Sequence, residues 1–182
     1  MKKPLIINLC GAPGAGKSTG ASYIFSKLKM QGVNAELITE FAKDKTWENN
    51  KTALENQIYA LGKQYYKITR CKEQVDVIIT DSPILLSIFY GGDKFYAEEL
   101  KNLVIKLWKN DNNLLYFVNR DKSYNPKGRN QTEKESDEIS VNLKQILSNF
   151  KGDIIYQEIM GNESSYNLVV EQVLKLLSSQ EE

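Results

Sequence analysis

The 182-residue sequence contains no histidine, so imidazole is excluded from acid/base catalysis and from metal ligation, and carboxylates, lysines and arginines must carry any chemistry. Cysteine is nearly absent as well. Cys10 closes a short apolar run and Cys71 ends a helical pattern, an arrangement that makes no disulfide framework and fits a reducing compartment. Neither sign of charge dominates: 24 Lys+Arg against 23 Asp+Glu give a net charge of +1, so no global field draws nucleic acid or a membrane surface. No apolar run approaches the roughly 20 residues that a membrane helix needs. The run Leu5 to Cys10 behind Met1-Lys2-Lys3-Pro4 is also too short for a signal sequence. Internal repeats and low-complexity tracts are missing too. Together these absences predict a cytoplasmic protein with no membrane partner, built as a single domain over residues 1–182.

What is present is a loop, Gly11-Ala12-Pro13-Gly14-Ala15-Gly16-Lys17-Ser18, that fits G-x-x-x-x-G-K-[ST] at every fixed position and continues into Thr19. It lies between an apolar strand pattern and a helical one, Lys17 to Met30, in the order that a phosphate-binding loop requires. Glycine lets the backbone wrap without a Cβ clash, so that successive N–H groups and the positive end of the helix dipole face phosphate oxygens. Lys17 then reaches the β- and γ-phosphates, and Ser18 offers its hydroxyl to magnesium. ATP and Mg2+ are the predicted cofactors.

Strand patterns follow at 35–39, 75–80, 114–118 and 154–156, alternating with helical ones, which predicts an α/β fold: a five-stranded parallel sheet with helices on both faces and ligands at the carboxyl ends of the strands. Residues 52–72 read as one long helix with Leu54, Ile58, Leu61, Tyr65 and Ile68 as its core stripe. Ser82-Pro83 reads as an N-cap and first turn of a short helix that Gly91-Gly92 ends. Residues 119–131 are almost devoid of apolar side chains, and four basic residues there face the single acid Asp121. That stretch reads as a mobile lid of about 120–134, anchored by the capping box Thr132-Glu133-Lys134-Glu135.

Chemistry is expected at the strand ends. Asp81 stands where a second acidic group would hold magnesium. Glu40 or Asp44, beyond the second strand, would orient an acceptor hydroxyl and take its proton; either could equally be a solvated surface acid. Arg120 and Arg129 are candidate cationic clamps over the triphosphate. On the long helix Tyr59, Lys63, Tyr66 and Arg70 share a face that could stack a base and meet phosphates, or could simply be the wet side of the helix. Gln57 could hydrogen-bond a base edge.

These residues resemble the small nucleoside and nucleotide kinases, particularly the thymidylate kinase and deoxynucleoside kinase groups, along nearly the whole chain. The resemblance matches Gly11–Ser18 to the phosphate loop, Glu40 to the acid after strand two, Asp81 to the strand-terminal acid, and Arg120 to Arg129 to an arginine-bearing lid. Asp81-Ser82-Pro83 departs from the Glu/Asp-Arg-Ser of deoxynucleoside kinases and lacks its arginine. The stretches 39–44 and 124–133 look closer to kinases of tailed bacterial viruses, some of which phosphorylate the hydroxymethyl group of 5-hydroxymethyluracil in DNA. The resemblance thus implies an ATP-dependent P-loop kinase acting on a nucleotide-type acceptor, modified viral DNA or else a free nucleoside or monophosphate, in the cytoplasm of an infected host if viral. Oligomeric state stays open, a homodimer included. A nucleotide-hydrolysing switch would need a guanine-reading N-K-x-D, which is missing. A motor of the AAA type would need an additional helical lid domain, for which no segment has the length. A non-catalytic binding module would not need both lid arginines and strand-end acids.

Overall fold

Five strands form a wholly parallel sheet in the order β2-β3-β1-β4-β5: β1 (Leu5–Cys10), β2 (Ala35–Ile38), β3 (Val77–Thr80), β4 (Asn112–Asn119) and β5 (Tyr156–Met160). The computed structural model describes residues 3–127, 131–150 and 152–179. Every residue of β1 is buried, because helices cover both faces of the sheet. Side-chain alternation divides the core accordingly. Ile6 and Cys10 join Ile78, Leu115 and Phe117 in one cluster, while Leu5, Ile7 and Leu9 join Val77, Ile79, Tyr116 and Val118 in the other.

Helix α1 (Lys17–Met30) and helix α8 (Glu163–Ser178) cover the second cluster, through Ala21, Ile24 and Leu28 on one and Val169, Val170 and Val173 on the other. The first cluster is covered by α4 (Gln57–Thr69), α6 (Ala97–Lys109) and α7 (Glu133–Ser148), with Leu61, Ile68, Leu100, Val104, Trp108, Leu143 and Leu147 inward. β1 pairs with β3 on one side and β4 on the other, so the chain order reverses at β1 and the loop leaving it opens into the resulting crevice.

The structure departs from the sequence pattern in several places around that crevice. Residues 52–72 form two helices, α3 (Lys51–Glu55) and α4, because the Asn56 side chain accepts the Tyr59 N–H and starts a new helix. The buried steps of α4 are then Leu61, Gln64 and Ile68, and Ile58, expected in the core, is 58% exposed. Helix α2 (Phe41–Trp47) occupies what read only as an acidic strand end; it buries no residue, so it has no apolar stripe to announce it. Ser82 caps nothing. Its N–H goes to Thr80 Oγ1, tight turns run from Pro83 to Leu85, and α5 spans Leu86–Tyr90. The last strand begins at Tyr156 instead of Ile154, since Ile154 packs into the core ahead of the strand and Ile155 is 85% exposed.

Candidate active site

Gly11 and Gly16 shape the loop in the way their spacing predicts. Gly11 has φ 145 and a Cβ there would lie 2.6 Å from Val118 O; Gly16 has φ 104 and a Cβ there would lie 2.6 Å from the Tyr166 hydroxyl. Ala12 and Ala15 are buried beneath the loop. Lys17 donates to Ala12 O at 3.0 Å, which folds the ammonium back over the loop. Gly16 caps α1 without a side-chain acceptor, and the first turn of α1 holds no acid. The open N–H groups therefore fit an anion, and phosphate oxygens are the natural occupants.

Two neighbours that the pattern did not announce hold the loop from outside. Ser136 of α7 donates its hydroxyl to Pro13 O at 2.7 Å, and Tyr166 of α8 donates to Gly16 O at 3.0 Å. The first tie places the α7 N-terminus beside the loop. The Thr132 capping box is complete, with both reciprocal bonds to Glu135 present.

A cavity of about 660 Å3 runs from the loop across the carboxyl ends of the strands. Gly11, Pro13, Gly14, Gly16, Lys17, Ser18 and Thr19 line its phosphate end, Glu40 its middle, and Gln57 its far wall. A second cavity of about 290 Å3 opens behind α2, where Asp81, Asp44 and Glu40 meet Ser18 and Lys43. Glu40 and Ser18 line both.

Backbone ties fix Glu40. Asp81, 4% exposed, accepts the Glu40 N–H at 3.1 Å. Gln64, 5% exposed, accepts the next N–H, that of Phe41, at 3.0 Å and donates to Thr80 at 3.3 Å. Burial pushes the Glu40 carboxyl above its ordinary range; the Lys17 ammonium partly offsets this and the Asp81 carboxylate adds to it. A carboxyl tuned upward beside a phosphate site is suited to accept a proton. Asp44 is 61% exposed at its side chain and lies 3.9 Å from Lys67, outside the larger cavity.

No group of three or more Cys, Asp or Glu ligands forms a metal site among the described residues. Magnesium needs none, because it takes most of its ligands from water and phosphate; the Ser18 hydroxyl and buried Asp81, which share the second cavity, fit that chemistry.

The other expected residues lie farther off. Arg120 lines neither cavity: its Nη2 pairs with Asp137 at 2.5 Å and Glu133 at 3.3 Å, its guanidinium lies 5.3 Å from the Tyr124 ring, and its buried Nη1 has no hydrogen-bond partner among the described residues. Arg129 lies outside the described residues, while Lys127 and Gln131, on either side of it in sequence, reach the cavity. Tyr59, Lys63, Tyr66 and Arg70 do not line it. Tyr59 packs edge-on against Phe41 with ring centroids 5.4 Å apart, Lys63 lies over Tyr59, Tyr66 is 65% exposed, and Arg70 is 3.5 Å from Glu36.

Sequence reasoning missed Phe41, Trp47, Gln64 and Tyr90, all of which line the cavity. Gln64 left a signal, a polar residue at a buried step between Leu61 and Ile68; the others stand on helices too short to show a period. Burial pushes the Tyr90 phenol up to about 12, and the Glu40 carboxylate adds to the rise.

A sequence profile of the family described as AAA domain matches residues 6–157. A search of curated proteins finds no match. Among solved structures, the fold is similar to the crystal structure of NadR protein in complex with NR, with a TM-score of 0.69 at 15% identity over 94% of this chain. The chain spans about half, 51%, of that protein's length. The elements of the described residues form one five-stranded sheet with its covering helices and no additional helical domain.

Proposed function

We propose that this chain, which belongs to the AAA domain family, is a phosphotransferase that moves the γ-phosphate of magnesium-bound ATP to a hydroxyl of a nucleotide-type acceptor. One observation carries the reading: Glu40 lines the same cavity as Lys17 and Ser18, and the cavity continues past it between α2, α4 and α5. A hydrolase needs room there only for water. A far end lined by Phe41, Leu54, Gln57 and Tyr90 instead accommodates a second molecule.

In this reading the loop amides and Lys17 hold the triphosphate and neutralise charge as it moves to the leaving oxygen. Ser18 and Asp81 would hold magnesium, which would supply further neutralisation of the phosphate charge. Glu40 orients the acceptor hydroxyl and takes its proton as the new oxygen–phosphorus bond forms; the bond to the β-phosphate oxygen breaks and ADP leaves with the electron pair. Arg120 and Arg129 keep the role of lid cations, residues 120–134 forming the lid of a single domain. Arg120 must leave Asp137 and Glu133 to serve.

A second, finer reading places the acceptor hydroxyl on 5-hydroxymethyluracil within viral DNA. Its support is the outer face of α4, where exposed Tyr66 and the Lys63–Tyr59 pair flank the Phe41 side of the cavity. NadR, of the same fold, was crystallised with NR, which accords instead with a small-molecule ligand. Incubation with γ-labelled ATP and nucleosides, nucleoside monophosphates, unmodified DNA or DNA containing 5-hydroxymethyluracil separates the readings. Label in modified DNA alone supports the DNA acceptor, label in a free nucleoside or monophosphate refutes it, and label in none refutes the phosphotransferase.

A further inference from the structure

Ser18, Glu40, Lys43 and Trp47 line both cavities and so stand on the border between them. Ser18 belongs to the phosphate loop, and Glu40 is the proton acceptor of the proposed reaction. A phosphoryl group that leaves the loop for a hydroxyl at Glu40 passes this border. Lys43 stands there on α2, three residues after Glu40, and the transfer as proposed leaves it without a role.

Nothing in the local structure accounts for that lysine. It lies in the first turn of its helix, where a cation opposes the helix dipole. Its chain neighbour Asp44 lies 3.9 Å from Lys67 of α4, and Lys45, one turn face away, pairs with Glu48 at 2.6 Å. Lys43 makes no hydrogen bond, ion pair or ring contact among the described residues; it pairs with neither Glu40 nor Asp44. Since α2 buries no residue, its stem serves no core. What the ammonium has is a place on the wall of the larger cavity, which it shares with Lys17 and the loop glycines. An exposed lysine carries three donors on a flexible four-carbon stem and can turn to a phosphate oxygen without breaking an ion pair. Arg120, held by Asp137 and Glu133, has no such freedom.

Building on the phosphotransferase reading, we propose that Lys43 is a further catalytic residue, whose ammonium binds the γ-phosphate of ATP at the border of the two cavities and stays with the phosphoryl group as it moves to the acceptor hydroxyl. Lys17 and the loop amides hold the triphosphate on the side of the leaving oxygen, and Lys43 meets the terminal phosphate beside the group that takes the proton. It forms no covalent bond and transfers no proton; its contribution is charge and a hydrogen bond to an oxyanion.

Binding tests this without requiring turnover. The full chain is titrated calorimetrically, with magnesium present, against ADP and against the non-hydrolysable AMP-PNP, which differ by the terminal phosphate. Lys43→Gln should weaken AMP-PNP at least about tenfold and ADP by no more than about twofold, while Lys43→Arg should keep AMP-PNP within about threefold of wild type. Lys45→Gln removes the same charge from the same helix at a side chain that lines neither cavity, and should leave both affinities within about twofold at physiological salt. With saturating MgATP and an acceptor that takes label, Lys43→Gln should also lower kcat at least about tenfold and leave the acceptor KM within about threefold. Equal weakening of ADP and AMP-PNP, an effect matched by Lys45→Gln, a loss confined to the acceptor KM, or wild-type values in Lys43→Gln overturns the proposal. The expected split between ADP and AMP-PNP in a chain that transfers label to no acceptor would refute the phosphotransferase and uphold Lys43 as a ligand of the γ-phosphate. Label transfer by wild type and Lys43→Gln alike would do the reverse.

Discussion

Replacing Gln64 with leucine removes the side chain that joins α4 to the α2 turn while keeping the helix and nearly the same volume. Gln64 accepts the Phe41 N–H at 3.0 Å and donates to Thr80 at 3.3 Å, at 5% exposure. In Gln64→Leu the Phe41 N–H loses its acceptor, and an orphaned donor of this kind costs about 1–3 kcal/mol. Because α2 buries no residue, little else resists its opening, and the cost should appear there as local unfolding. That range corresponds to an increase of about 5- to 150-fold in hydrogen exchange at the Phe41 amide. Amide exchange followed by NMR measures this directly, with the β1 amides of Ile6 and Ile7 as internal references for global stability. Exchange at Phe41 that rises only in step with those references would show a loss of packing alone, and unchanged exchange would refute the brace.

Gly16→Ala should destabilise by about 2 kcal/mol, or roughly 4–8 °C in Tm, since alanine is strained at φ 104 and its Cβ meets the Tyr166 hydroxyl; thermal melts check this. Ile58→Lys should fall within about 0.5 kcal/mol of wild type and Ile68→Lys should be severely destabilising, which urea titration reads as the true phase of α4. Thr132→Ala should cost about 1 kcal/mol of stability by removing the α7 cap. The bonds from Thr132 also hold the Glu135 carboxyl below its ordinary range, so their contribution is complete above the usual carboxylate pKa and is lost as pH falls through the lowered folded value. The wild-type advantage over Thr132→Ala should therefore shrink in acid, as unfolding midpoints at neutral and acid pH will show.

Much of the phosphate end was legible because its signals are local. The loop's glycines, Lys17 and Ser18 lie together in sequence, and the apolar run before them can only be a buried strand once helices cover both faces of the sheet. Asp81 and Glu40 are candidates by position alone, one residue past β3 and two past β2, which is where a parallel sheet presents its ligand groups. The far end of the cavity was less legible. It is assembled from α2, α3 and α5, helices of 7, 5 and 5 residues, too short for an apolar period to emerge, and α2 faces the cavity instead of the core. The error in α4 has a definite cause: the Asn56 cap reset the helical phase, so a stripe extrapolated through Leu54 and Ile58 placed Ile58 inward and passed over Gln64. Arg120 stands out in sequence as a cation in a polar stretch, but its ion pairs reach Glu133 and Asp137 on α7, and composition carries no record of such pairing.

Lys17 and Glu40 line one cavity, and the proposed function gives them separable roles, phosphate binding at Lys17 and proton acceptance at Glu40. MgATP affinity and label transfer from γ-labelled ATP, measured side by side in wild type, Lys17→Ala and Glu40→Gln, test it most directly. Lys17→Ala should abolish transfer with the fold intact, because the lysine neutralises charge at a solvent-reached site. Glu40→Gln should bind MgATP within about twofold of wild type and lose transfer by about 100-fold or more, since it keeps size and hydrogen-bonding reach but cannot take a proton. Full transfer by Glu40→Gln, or its loss in Asp44→Asn instead, would contradict the account.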